Sequence, residues 1–122
     1  MVKTVISDNK GLVQHSGQTG FQVTDAVYTN QSTAIRATAA PAAALGEALI
    51  QLVDSTDSLH TVKMPLARGP GQIIIVCNVD SAESAVIRNN ADDGNLAVAT
   101  AGASVFLRSS AAGDNWTAHL SI

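Results

Sequence analysis

The stretch Gln72-Ile73-Ile74-Ile75-Val76-Cys77-Asn78-Val79 decides how this chain folds. It is apolar almost throughout and dense in β-branched residues. Arg68-Gly69-Pro70-Gly71 precedes it, and that composition makes a tight turn. A short branched run closed by turn signals reads as a strand covered on both faces, because a helix of this character would run longer. Ile73 and Ile75 are therefore expected as core anchors.

Working outward, the same alternation of short strand and polar turn continues in both directions. Upstream, residues 59–64 alternate and stop at Pro65, and Asp54-Ser55-Thr56-Asp57 makes a turn before them. The stretch Leu49-Ile50-Gln51-Leu52-Val53 is short, branched and predicted as a strand. Downstream, Ala85-Val86-Ile87-Arg88 is a strand, and Asp92-Asp93-Gly94 marks the hairpin turn after it. Strands over 96–100 and 104–109 follow, split by Gly102. From Trp116 to Ile122 apolar and polar residues alternate without a fault. That places Trp116, Ala118, Leu120 and Ile122 on one face. Trp116, Phe106 and Leu120 complete the expected core anchors.

Turn signals every ~8–12 residues point to a sandwich or barrel rather than βαβ units. The expected fold is all-β, a small antiparallel β-sandwich of jelly-roll type or a β-barrel. Residues 1–30 are rich in Gly, Gln, Ser, Thr and Asn, and are expected to form an extended arm with short strands at 2–6 and 21–24. Residues 31–122 form the sandwich domain. Residues 34–48 are ambiguous: their alanines favour helix, whereas Pro41 and Gly46 break one.

Composition narrows the function. The 122 residues fit one domain. Hydrophobic residues make up 46%, but much of this is alanine and aromatics are only 3%, so each apolar residue buries little area. A thin core, or one completed by neighbouring subunits, follows. Charged residues are 14% and the net charge is −3, with the basic residues scattered, so no nucleic-acid footprint is expected. No stretch reaches the ~18 apolar residues of a membrane span. The first residues carry one lysine and too short an apolar run for a signal peptide, so synthesis and use without export are expected.

Chemistry is sparse. His15, His60 and His119 are the histidines, and no Gly-x-Ser-x-Gly elbow accompanies them. There is no pair of cysteines and no His pair at helical spacing, so no metal site is expected. Asp92-Asp93-Gly94-Asn95 lacks the ligand spacing and distal Glu of a calcium loop. Gly69-Pro70-Gly71 lacks the Gly-Lys-Ser/Thr of a phosphate loop. Cys77 is the single cysteine and reads as a small buried hydrophobe rather than a nucleophile. No catalytic residue, metal or cofactor is expected.

Residues 59–122 have an order that resembles β-sandwich modules of tailed-bacteriophage virion proteins, namely capsid decoration (cement) proteins, head fibres and distal parts of tail fibres. The residues that carry it are the strand ending in Met64-Pro65, the Gly69–Gly71 turn, the apolar strand ending in Asn78, Gly102-Ala103-Ser104-Val105-Phe106-Leu107, and Gly113-Asp114-Asn115-Trp116. The resemblance implies a structural protein on the outer capsid surface of a virion, made in the host cytoplasm, that bridges neighbouring major capsid proteins. Its partners would be the major capsid protein and itself, as a homo-trimer or, in close competition, a homo-dimer. Lys3, Lys10, His15 and Phe21 of the arm are the expected capsid contacts. The alternative is a receptor- or glycan-binding module of a head or tail fibre, using Trp116 or Tyr28. A third reading, an enzyme or lectin-like domain of other origin, requires a perturbed histidine in a cleft.

Overall fold

A computed structural model describes residues 28–120. They hold nine strands and no helix: β1 (Ile35–Arg36), β2 (Ala43–Ala44), β3 (Ile50–Asp54), β4 (His60–Lys63), β5 (Ile73–Asn78), β6 (Ala85–Arg88), β7 (Asn95–Ala99), β8 (Ser104–Ser109) and β9 (Trp116–Leu120). The strands make two sheets, in the orders β1-β3-β5-β8-β9 and β2-β4-β6-β7. The sheets face each other and do not close into a barrel, so the fold is a small all-β sandwich. The ambiguous stretch 34–48 contains the two short strands β1 and β2. The expected arm residues Lys3, Lys10, His15 and Phe21, and the strands expected at 2–6 and 21–24, lie outside the described residues.

The pairing differs from the antiparallel expectation. The ladders β1–β3, β3–β5, β2–β4 and β4–β6 are parallel, and only β5–β8, β6–β7 and β8–β9 are antiparallel. The reason lies in the connections. From β1 to β6 the chain changes sheet at every turn, so each strand re-enters its own sheet beside, and parallel to, the strand two before it. Parallel neighbours need a long crossover. Here the crossover is a strand of the opposite sheet, where an α/β protein would use a helix. The hairpins β6–β7 and β8–β9 end the winding.

The core between the sheets is aliphatic. Val53, Val62, Met64, Ile74, Val76, Ile87 and Leu107 are fully buried, and Trp116 closes one end. Two features compensate for small side chains. Alanines 37, 67, 85 and 99 are also buried in this cluster, which lets the backbones pack closely. A register shift between Ile87 and Arg88 in the β6–β7 pair accompanies the packing of both Leu96 and Ala97 against the core.

The expectation that β5 is covered on both faces is corrected. Ile74, Val76 and Asn78 are buried, whereas Ile73 is 39% exposed and Ile75 and Cys77 are half-buried. Strict period-2 alternation sends the two sets to opposite faces, and only one face meets the other sheet. Of the expected core anchors, Trp116 is buried in the core cluster. Ile73, Ile75 and Phe106 lie on the outward face instead, for the same reason. Leu120 ends β9.

Neighbouring isoleucines therefore carry different weight. Ile74→Ala is expected to cost about 2–5 kcal/mol through lost burial and a residual cavity. Ile73→Ala is expected to cost under about 1 kcal/mol, as surface substitutions do. Chemical denaturation of the two variants measures both values.

Candidate functional site

Three regions carry the polar and exposed side chains, and each follows from where the strands end. The first is a set of buried polar residues that hold the loops. Asn78 ends β5 and is 2% exposed. Its Nδ2 donates to the carbonyls of Glu83 at 2.8 Å and Ala99 at 3.0 Å, and its Oδ1 accepts from the Asp80 amide at 3.0 Å. One amide thus ties β5 of the first sheet to the end of β7 in the second. Ser109, on β8, donates to the Gly69 carbonyl at 2.6 Å and accepts from the Gln72 amide at 2.9 Å. Gln51 on β3 donates to the Ala48 carbonyl at 2.9 Å and accepts from the Gly46 amide at 3.2 Å. Most buried polar groups in proteins are bonded in this way.

Loop carboxylates continue the pattern. Asp114 accepts from the amides of Asn90 and Ala91, and Asp92 accepts from the Ala42 amide. Asp92 Oδ1 also lies 3.0 Å from Arg88 Nε. That is a charge contact rather than a hydrogen bond, because neither atom has a partner in bonding geometry. Asp80 accepts from the amides of Glu83 and Ala82, and these bonds hold its carboxyl below the usual carboxylate range.

The second region is a shallow groove lined by Glu47, Arg68 and residues 69–72. Arg68 grips Glu47 with two nitrogens, at 2.7 Å and 3.0 Å. The hydrogen bond from Arg68 lowers the Glu47 carboxyl from its ordinary value, and the same bond raises the guanidinium. Gly71 turns the loop at φ 82°, a conformation that favours glycine. The guanidinium is thus already engaged by a neighbouring acid, which makes the pair a loop clip.

The third region is the outward face of the first sheet. Alternation from the buried residues places Ile50 and Leu52 of β3, Ile73, Ile75 and Cys77 of β5, and Phe106 of β8 on it, none of them fully buried. The registers Ile50↔Ile75↔Phe106 and Leu52↔Cys77 set these side chains in adjacent rows. Phe106 meets His119 edge-on, with ring centroids 6.0 Å apart. Arg108, which pairs with Ile73, bounds one end, and Asp54 bounds the other. The outward face of the second sheet differs: Thr61, Lys63, Val86, Arg88 and Val98 alternate polar and apolar groups.

His60 and His119 do not assemble a catalytic set with their described neighbours, and His15 lies outside the described residues. His60 Nε2 lies 3.8 Å from Asp57 Oδ2, but the nearby Ser55 hydroxyl bonds to the Asp57 carbonyl. His119 sits on the outward face. Among the described residues no group of three His, Cys, Asp or Glu side chains is placed to hold a metal ion. No helix among them is long and apolar enough to cross a membrane. Trp116, a candidate sugar platform, is 7% exposed and donates from Nε1 to the Pro65 carbonyl at 2.7 Å. Tyr28, the other candidate, is 94% exposed. The outward apolar face was missed in the sequence because β5 is apolar at both parities, and nothing in one strand says which parity faces the other sheet.

No protein-family model, curated protein or solved structure matches this chain.

Two expected outcomes follow from the loop bonds. Asn78→Ala leaves two carbonyls and an amide without their partner and is expected to cost about 2–3 kcal/mol, measured by thermal or chemical denaturation. Asp80 has a lowered folded pKa, so its contribution is complete above the unfolded carboxyl value and is lost as pH falls through the folded value. The stability difference between wild type and Asp80→Asn is therefore expected to shrink below about pH 4, as paired acid titrations of folding would read.

Proposed function

We propose that this protein is a structural virion protein of a tailed bacteriophage that decorates the outer capsid surface and bridges neighbouring major capsid proteins. It is made in the host cytoplasm, acts as a homo-oligomer and uses no catalytic residue or cofactor. The observation that carries the reading is the distribution of surface chemistry. Asp80, Asp92, Asp114 and Glu47 are spent on holding loops, while the outward face of the first sheet carries Ile50, Leu52, Ile73, Ile75, Cys77 and Phe106, half-buried or exposed. A cement protein needs surfaces rather than a pocket, and gains strength from several weak contacts held together. The order of strands and turns over residues 59–122, with its bacteriophage resemblance, supports the same reading. Three copies on a three-fold axis or two on a two-fold axis both meet the requirement for closed symmetry. The segment 1–30, through Lys3, Lys10, His15 and Phe21, is assigned to the capsid contact.

The fibre-module alternative rests now on Tyr28 alone. Trp116 is committed to the core, so a ligand stacked on it would require the sandwich to open. Tyr28 stands almost free and is the group a glycan would meet.

Rebinding to particles that lack the protein is the test. Purified full-length protein is expected to co-sediment with them and to saturate at a fixed number of copies per particle. Replacing Lys3, Lys10, His15 and Phe21 together is expected to lower occupancy at least tenfold without changing the folded spectrum. Absence of binding, alongside a glycan-array signal abolished by Tyr28→Ala, would replace this reading with the fibre module.

A further inference from the structure

We propose that the outward face of the first sheet is a self-association surface, and that its partner is the same face of a second copy related by a two-fold axis. This deepens the oligomeric part of the proposed function by naming the interface, and requires nothing of the capsid.

Two observations argue for a second copy as the occupant, and area sets the strength of the contact. The first is apolar content. Ile50, Leu52, Ile73, Ile75, Cys77 and Phe106 form contiguous rows across β3, β5 and β8, while the outward face of the second sheet is mixed. A sheet face of this kind ordinarily packs against another layer.

The second is charge. Arg108 and Asp54 lie on opposite sides of β5 and at opposite ends of it. Arg108 pairs with Ile73, where β5 begins, and Asp54 follows Val53, the register partner of Asn78, where β5 ends. Neither side chain forms an ion pair among the described residues, and the Asp54 carboxyl lies in hydrogen-bond contact with that of Asp80, which adds acid at this end of the face. A two-fold axis lying between two such faces exchanges these positions. It sets Arg108 of each copy over Asp54 of the other, so the pair forms twice. The midpoint between the two residues falls on β5 between Ile75 and Cys77, at the centre of the apolar rows. Isologous contacts need this kind of self-complementarity. A two-fold pairing of this face makes a closed dimer rather than a trimer.

With strands ~4.8 Å apart and ~3.3 Å per residue, the face over β3, β5, β8 and β9 covers roughly 400 Å². Ser104, Arg108, Thr117 and His119 also lie on it, so its apolar part is smaller, and the whole is about half of what each partner buries in a standard stable interface. The dimer is accordingly weak and concentration-dependent, with Kd in the micromolar range or above. Such a contact suits copies that are concentrated on a surface.

Sedimentation of the full-length protein over a concentration series tests this. The mass is expected to rise from 12.5 kDa towards twice that value. Arg108→Asp is expected to weaken the association at least tenfold, and adding Asp54→Arg in the same chain is expected to restore much of it. Ile73→Glu, at an already exposed position, is expected to abolish it. Cys77, the single cysteine, sits on the face and reports independently: its reaction with a thiol reagent is expected to slow as the dimer fills. A monomer at every concentration would overturn the proposal. With Cys77 reactive, that result says the face is open. With Cys77 unreactive, it says residues of the same chain cover the face. A dimer or trimer indifferent to Arg108→Asp and Ile73→Glu would overturn it too, because copies would then meet elsewhere. Failure to bind particles would leave these outcomes untouched, so the two proposals fail separately.

Discussion

The structure depends on β5 having neighbours of opposite direction on its two edges. It runs parallel to β3 through Ile50↔Ile75 and antiparallel to β8 through Ile75↔Phe106. On the β3 side it receives the part of the chain that winds between sheets, and on the β8 side the hairpin that closes the molecule. Its inward residues, Ile74 and Val76, are fully buried against the second sheet. Its last inward residue is Asn78, whose amide reaches the end of β7. Hydrophobic burial thus fixes the middle of the strand and hydrogen bonds fix its end. A core with one tryptophan and many alanines has little area to spare. The polar ties at Asn78, Ser109 and Gln51 set loop positions that a bulkier core would fix by packing.

Much of this was legible in the residues. The strands from β3 to β9 fall within a residue or two of where alternation and turn chemistry put them. The connections expected at Gly69–Gly71 and Asp92–Gly94 lie between strands, and the one expected from Asp54 begins a residue later, because Asp54 ends β3. Trp116 was readable as the core's large anchor because the alternation through Thr117, Ala118 and His119 gives one face a large apolar residue. The strand-to-turn grammar was readable because Gly, Pro, Asn and Asp adopt conformations that other residues avoid.

What could not be read was direction. A connection of five to nine residues has the same kind of composition whether it folds the chain back within its sheet or carries it to the opposite one. The first outcome gives an antiparallel meander and the second gives parallel neighbours. The choice is settled by long-range packing of β4 and β6 against β3 and β5, which no local window contains. The outward face was hidden for a related reason. A strand of isoleucines and valines carries no polar marker of its solvent side, so Ile73, Ile75 and Phe106 looked like core.

Interstrand nuclear Overhauser effects tests the winding most directly. Parallel pairing of β3 with β5 puts the backbone protons of Ile50 near Ile75 and those of Leu52 near Cys77, with amide-to-α contacts running in the same direction along both strands. The account predicts that pattern, together with close α–α contacts of the antiparallel kind between β5 and β8. Close α–α contacts between β3 and β5 would instead show a simple meander, and would contradict both the alternation of sheets and the outward face derived from it.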